Sequence, residues 1–149
     1  MEKSPVSSLI VVDASVAIWT LLPAMAPVDA VGRLIAWRQA NAELYAPLLW
    51  LAECVSAIRR YVHAGLITSQ EGLTAIDDLM ALEVTVVPMT HSHCRAAYIW
   101  AERLGQSRAY DGFYLALAEE LGGTFFTGDK RLINGAQQLG LSWVQWIGD

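Results

Sequence analysis

The stretch YDGFYLALAEELGGTFFTGDKRL, residues 110–132, contains one complete helix–strand–helix unit. A helical pattern over residues 110–121 ends at a Gly-Gly pair, where the chain can turn sharply. Residues 124–127, Thr-Phe-Phe-Thr, have the β-branched and aromatic side chains typical of a short buried strand. A second helix is predicted over residues 130–139. The stretch therefore indicates a chain in which strands alternate with helices.

The same alternation continues on both sides of this stretch. The predicted strands are residues 9–12, 44–46, 84–87, 124–127 and 142–146. The predicted helices are residues 16–22, 28–40, 47–64, 69–82, 91–104, 110–121 and 130–139. Strands joined through helices run parallel and are connected by right-handed crossovers. We therefore predict an α/β fold, with about five short strands in a mostly parallel sheet that helices cover on both faces.

The bulk composition predicts one domain over residues 1–149, with a loose N-terminus at residues 1–8. The chain is 54% hydrophobic and only 17% charged, so we expect a second subunit or a partner to cover some apolar surface. Two cysteines without a disulfide pattern favour a reducing cytoplasm. The apolar segment 9–28 is not expected to enter a membrane, because it contains Asp13 and two prolines. A net charge of −5 argues against a broad basic face for nucleic acid.

Two aspartates follow predicted strands directly. Asp13 comes after residues 9–12, and Asp129 comes two residues after the strand at 124–127. Each could simply cap the helix that follows, because Asp accepts hydrogen bonds from free N–H groups at a helix start. Ligands in open parallel sheets bind at the carboxyl ends of the strands, however, so the two residues are also candidates for a functional site.

Two further carboxylates lie on helices. Asp111 is in the first turn of the helix at 110–121, where it also suits the helix dipole. Glu53 lies on an apolar helix, away from a seam predicted to face the core. The members of that seam are Leu48, Leu51, Val55, Ile58 and Val62. Glu53 either faces water beside Arg60 or lines a partly covered cleft, and the residues leave both possibilities open.

If these carboxylates meet, they could bind a hard divalent cation such as Mg²⁺ or Mn²⁺, which prefers carboxylate and water oxygens. Such an ion can activate water and orient a phosphodiester for attack. The His91-Ser92-His93-Cys94 run is a poor alternative metal site, since neighbouring positions on a helix point in different directions.

Four motifs together resemble the PIN domain, and most of all the VapC-type toxins of bacterial and archaeal toxin–antitoxin pairs. They are residues 10–15 (IVVDAS), 50–55 (WLAECV), 110–118 (YDGFYLALA) and 127–132 (TGDKRL). The resemblance runs from Leu9 to about Trp146. Gly112 stands where that family usually has another small residue, often Ala.

The resemblance implies a PIN-like three-layer sandwich and an Mg²⁺- or Mn²⁺-dependent endoribonuclease that acts as a toxin. It implies metal binding by Asp13 and Asp111, with Glu53 and Asp129 completing an acidic pocket. Hydroxyl support from Ser15 and Thr127 is also implied, as are an RNA substrate and a cognate antitoxin protein, and we expect a homodimer. Basic residues near the carboxylates are expected either to hold phosphates or merely to solvate the surface. They are Arg59, Arg60, Arg108, Lys130 and Arg131.

Two other functions remain as alternatives. One is a PIN fold that serves as a protein-interaction module with weak or no nuclease activity. The other is a phosphate-transferring α/β domain, which the sequence disfavours because Asp13-Ala14-Ser15 lacks the second Asp of a phosphatase motif.

Overall fold

A five-stranded parallel sheet forms the centre of the computed structural model, which describes residues 8–149. The strands are β1 (Leu9–Val12), β2 (Glu43–Pro47), β3 (Val84–Val87), β4 (Thr124–Thr127) and β5 (Val144–Trp146). Their order is β3-β2-β1-β4-β5, and every pairing among the described residues is parallel. The two central strands, β1 and β4, are almost wholly buried, as their apolar sequences require. The predicted fold class is confirmed.

Seven α-helices connect these strands within residues 8–149. They are α1 (Ala14–Leu21), α2 (Ala30–Gln39), α3 (Leu49–His63), α4 (Ser69–Met80), α5 (His91–Leu104), α6 (Tyr110–Leu121) and α7 (Lys130–Gln138). Right-handed crossovers that run in opposite directions from β1 place α1 to α4 on one face and α5 to α7 on the other. Contacts among α1, α3 and α4, and between α5 and α6, agree with these two layers.

Local capping explains two of the predicted helix starts that were wrong. Helix α1 begins at residue 14 and not 16, because Asp13 caps it directly. Helix α2 begins at residue 30 and not 28, because Asp29 caps it through the N–H of Gly32. An unpredicted 3₁₀ turn, Pro23–Met25, lies between the two helices. The loose N-terminus predicted at residues 1–8 falls outside the described residues, except for Ser8.

The predicted seam of α3 was right at Ile58 but wrong at Leu48 and Val55. The buried residues of this helix are Trp50, Cys54 and Ile58, whereas Leu48 is 49% exposed and Val55 is 39% exposed. The Trp50 indole N–H donates to the backbone carbonyl of Asp13 at 3.1 Å. This contact helps to set the rotation of α3, which leaves Glu53 half-buried and not fully exposed to solvent.

Cys54 is buried, Cys94 is exposed, and both are free thiols. Within residues 8–149, no helix combines the length and the apolar character that a membrane span needs.

Helices α5 and α6 pack so closely that Gly112 has no room for a side chain. A Cβ at this position would lie 2.3 Å from the backbone carbonyl oxygen of Ala97. Gly112→Ala is therefore expected to lower the free energy of unfolding by about 2 kcal/mol, as overpacking in a core does. Urea denaturation checks this, with Gly135→Ala as a control whose new Cβ would meet only a flexible Leu104 methyl group at 3.0 Å. Equal losses in both variants would contradict the prediction.

Candidate active site

The four predicted carboxylates lie in one pocket of about 870 Å³ at the carboxyl edge of the sheet. Asp13 follows β1 and Asp129 follows β4, and these strands are neighbours at the point where the strand order reverses. Crevices at such a reversal are the usual ligand sites of open parallel sheets. Glu53 comes from α3 and Asp111 from the first turn of α6. The structure thus brings together residues that are up to 116 positions apart in the chain.

Asp13 is held by three hydrogen bonds. The Ser15 hydroxyl donates to Oδ1 at 2.5 Å, and the Val16 N–H donates to the same oxygen at 3.1 Å. The Thr127 hydroxyl, from the end of β4, donates to Oδ2. Both predicted hydroxyls therefore contact Asp13, and its capping role and its place in the pocket coexist.

Burial dominates the electrostatics of Asp13. It raises the pKa of the carboxyl group from its usual 3.8 to about 6, even though the three hydrogen bonds act in the opposite direction. The nearby charge of Asp111 raises this pKa further. A carboxylate in these surroundings is costly to ionise unless a cation or a proton accompanies it.

Glu53 is bound to a residue that the sequence analysis did not single out. The phenol of Tyr114, on α6, donates to Glu53 Oε1 at 2.6 Å. Burial raises the pKa of Glu53, Tyr114 lowers it, and the charges of Asp111 and Arg60 raise and lower it respectively. Arg60 makes no ion pair with Glu53 among the described residues. Glu53 thus lines the cleft, which was one of the two possibilities that the sequence left open.

Asp111 also has a partner that the sequence analysis missed. Gln106 Nε2 donates to Asp111 Oδ2 at 3.0 Å. The backbone there is fixed by Gly105, whose φ of 67° ends α5, and by the Gln106 N–H, which donates to the Ala101 carbonyl at 2.9 Å. Burial raises the pKa of Asp111, and the charge of Asp129 adds to that rise.

Asp129 caps α7, as the capping alternative predicted. Its Oδ1 accepts from the N–H groups of Arg131 at 2.9 Å and Leu132 at 3.3 Å. It nevertheless lines the shared pocket and acts on the pKa of Asp111, which in turn acts on Asp13 and Glu53. Asp111 is therefore the electrostatic centre of the four acids.

Four of the five predicted basic residues surround the carboxylates. Arg60, Lys130 and Arg131 line the main pocket, and Arg108 lines a neighbouring pocket of about 490 Å³ that shares Glu53, Asp111, Asp129 and Arg131 with it. Arg59 lies instead in a groove between α3 and α4. The rim of the acidic pocket therefore offers cations for an anionic ligand.

The His91–Cys94 run does not form a metal site. His93 is buried, accepts the Thr90 N–H at Nδ1, and contacts Glu120 through Nε2. The His93 ring caps α5 and also connects it to α6 through Glu120. Across residues 8–149, no three His, Cys, Asp or Glu side chains are already arranged to hold a metal ion, and this includes the four acids of the pocket.

Comparisons with known proteins agree with this arrangement. The PIN domain family matches residues 10–137 of the chain. Ribonuclease VapC12 of Mycobacterium tuberculosis is 33% identical over 124 residues, which cover 83% of this chain and 89% of that protein. PAE2754 of Pyrobaculum aerophilum superimposes with a TM-score of 0.69 at 16% identity, covering 96% of this chain and 93% of that one. VapBC2 of Rickettsia felis, solved bound to a DNA fragment from its promoter, superimposes with a TM-score of 0.66 at 9% identity, covering 93% of this chain and 98% of that one. The chain belongs to the PIN-domain family and, within it, to the VapC type.

Proposed function

We propose that this chain is a divalent-cation-dependent endoribonuclease and the toxin of a toxin–antitoxin pair. The observation that carries the proposal is the shared pocket, in which Asp13, Glu53, Asp111 and Asp129 converge from two strand ends and two helices. Relatives named as ribonucleases, such as VapC12, support the reaction class.

The donors of the pocket suit Mg²⁺ or Mn²⁺ in chemical type. All four acids supply hard carboxylate oxygens, and neither histidine nor cysteine lines the pocket. Burial and mutual repulsion raise the pKa values of Asp13, Glu53 and Asp111, so a positive ion would relieve an existing electrostatic cost. Among the described residues, the oxygens of the acids are not already arranged as a complete set of metal ligands. An ion that keeps several of its water ligands does not need such a set.

In the proposed mechanism, Asp13 and Asp111 hold the ion, and Glu53 and Asp129 complete the acidic pocket. When bound, the ion supplies water activation and neutralises charge on the phosphodiester. Ser15 and Thr127 orient Asp13, and Gln106 orients Asp111.

Proton transfer and substrate binding are assigned to other residues of the pocket. Tyr114 fixes Glu53 through Oε1, which leaves Oε2 to accept a proton from the attacking water. Arg60, Lys130 and Arg131 at the rim hold the phosphates that the acids would otherwise repel.

An antitoxin protein and a second copy of the chain are the proposed partners, and the cytoplasm is the proposed compartment. Solved relatives of the same fold are toxin–antitoxin complexes, such as one from Klebsiella pneumoniae. Exposed apolar side chains on α3, α4 and α5, including Leu73, Met80 and Tyr98, are suitable surfaces for such contacts.

Size-exclusion chromatography with light scattering tests the dimer, which a monomeric mass at micromolar concentration would contradict.

Metal-dependent cleavage is the direct test of the proposed function. Purified protein is expected to cut transfer RNA or messenger RNA with Mg²⁺ or Mn²⁺, and excess EDTA is expected to abolish cutting, since activation of the attacking water needs the cation. Gel analysis of total RNA checks this, and restored cutting after Mn²⁺ is added back excludes damage by the chelator. Cleavage that continues undiminished in EDTA would contradict the proposal.

The alternative function, a PIN-fold interaction module with little or no nuclease activity, has one observation in its favour. The net charge of −5 disfavours RNA binding. It would replace the proposed function if the purified chain bound an antitoxin yet cut no RNA at any cation concentration.

A further inference from the structure

The pocket that holds the carboxylates also has an apolar side. It is lined by Trp19, Pro27, Val28 and Trp146, which we call the aromatic wall. Neither tryptophan is fully buried, so both rings retain surface that a ligand can contact. Nothing in the proposed metal chemistry uses this wall.

The elements that position the carboxylates also position the wall. In the sheet, Trp146 of β5 is the partner of Thr127 of β4, and the Thr127 hydroxyl donates to Asp13. Trp19 lies on α1, the helix that Asp13 caps. The distance from the two tryptophans to the acids is therefore set by strand pairing and by a helix.

The two rings are seated by close packing. Their centroids are 6.2 Å apart at an interplanar angle of 72°, an edge-to-face contact. A Cβ on Gly128 would lie 2.4 Å from two ring carbons of Trp19, and a Cβ on Gly148 would lie 2.3 Å from Trp146 Nε1. Glycine at both positions leaves the space that the rings occupy.

The ammonium group of Lys130 lies over one ring of the aromatic wall. Lys130 Nζ is 5.3 Å from the centroid of the Trp146 ring, and Lys130 and Arg131 line the same pocket. The pocket thus combines flat aromatic surface, cationic side chains and carboxylates. A ligand that matches all three has a planar ring joined to a phosphate, and a nucleotide is such a ligand.

The overall charge explains why such a surface is needed. With 15 acidic and 10 basic residues, the chain gains little affinity for RNA from phosphate contacts alone. Stacking of bases on aromatic side chains supplies affinity that does not depend on net charge. A hydrophobic side chain from a protein would fit the wall too, but it would make no use of Lys130.

We infer that the aromatic wall is a nucleobase subsite, which stacks one unpaired base of RNA beside the phosphodiester held at the carboxylates. The inference rests on the proposed function for its substrate class. Of the wall residues, Trp19, Pro27 and Val28 lie within residues 10–137, which match the PIN domain family, and Trp146 lies beyond them.

The test compares two single strands of equal charge in EDTA, where no cleavage is expected. One is a fluorescein-labelled RNA 12-mer of mixed sequence, and the other is the same ribose-phosphate strand without bases. Fluorescence anisotropy is expected to show that the wild-type protein binds the RNA about tenfold more tightly than the abasic strand, as one stacked base would give.

Three variants separate stacking from a structural effect. Trp146→Leu is expected to lose most of the preference for bases, and Trp146→Phe is expected to keep most of it, because Phe still offers a π face. Trp143→Leu is the matched control, since Trp143 precedes the same strand but packs against Trp100 with ring centroids 5.7 Å apart. Circular dichroism verifies that each variant is folded, and the wild-type comparison of the two strands still tests the subsite if the Leu variant does not fold.

Two results would overturn the inference. One is equal wild-type binding of the two strands, which would show that the bases make no favourable contact with the wall. The other is an undiminished preference in Trp146→Leu. Because binding is measured without cleavage, failure of the subsite can be distinguished from failure of the proposed function. A protein that cuts RNA but ignores bases retains the proposed function and loses the subsite, whereas one that prefers bases but never cuts retains the subsite alone.

Discussion

Asp111→Asn is expected to reduce the rate of RNA cleavage about a thousandfold, a loss of about 4 kcal/mol of transition-state stabilisation. Asp111 is the carboxylate whose charge acts on both Asp13 and Glu53, and Asp129 acts on it in turn. Removing its charge therefore weakens cation binding at the centre of the pocket. Gln106 can still hydrogen bond to the Asn amide, so the packing of α6 should survive.

The matched control for this variant is Glu119→Gln on the same helix. Glu119 is exposed near the C-terminal end of α6 and does not line the pocket. Both substitutions remove one negative charge from α6, so a difference in activity between them reflects the position of that charge. Single-turnover cleavage assays at an Mg²⁺ concentration that half-saturates the wild-type protein provide the comparison, and wild-type activity in Asp111→Asn would remove this residue from the mechanism.

Asp13→Asn is expected to be inactive and yet more stable than the wild-type protein at pH 8 in EDTA. Burial raises the pKa of Asp13 from 3.8 to about 6, so the folded protein binds this proton more tightly than the unfolded chain does. Ionisation of Asp13 therefore lowers the free energy of unfolding very little below about pH 4. The loss grows between about pH 4 and pH 6 and reaches its full size above about pH 6. A rise of the pKa from 3.8 to about 6 corresponds to a loss of about 3 kcal/mol in the free energy of unfolding. This is an upper value, because part of Asp13 remains accessible to water.

Urea denaturation at pH 8 and pH 4 measures this cost. The gain in unfolding free energy of Asp13→Asn over the wild type should shrink to a small fraction at pH 4, where the carboxyl group of the folded wild type is also neutral. Asp29→Asn is the control, because Asp29 caps α2 through the Gly32 N–H at 2.9 Å but does not line the pocket. A gain of the same size at both pH values would show that ionisation of Asp13 is not its source.

Much of the fold and part of the site could be predicted from local patterns. The alternation of short apolar strands with helices was enough to predict a parallel sheet, because crossover handedness leaves few other arrangements. Asp13 and Asp129 were predictable candidates because each follows a strand directly, and Asp111 because of its motif. Their capping bonds are local as well, and the structure contains those of both strand-end aspartates.

The rotation of helix α3 could not be predicted in the same way. Both sides of this helix contain apolar residues, so its periodicity was compatible with a seam through Leu48 and Val55. Packing selected the face of Trp50, Cys54 and Ile58, whose burial leaves Glu53 beside Tyr114. The orientation of Glu53 therefore followed from contacts made across the molecule.

The sequence by itself determined the order of strands and helices, the strand-end positions of Asp13 and Asp129, and the family to which the chain belongs, because these depend on residues close together in the chain. Only the tertiary structure decided which partners meet: Thr127 with Asp13, Tyr114 with Glu53, Gln106 with Asp111 and Trp146 with Trp19. Each pair except Gln106 and Asp111 joins residues more than 60 positions apart. Their contact depends on strand register and helix rotation, which are set by packing of the whole core.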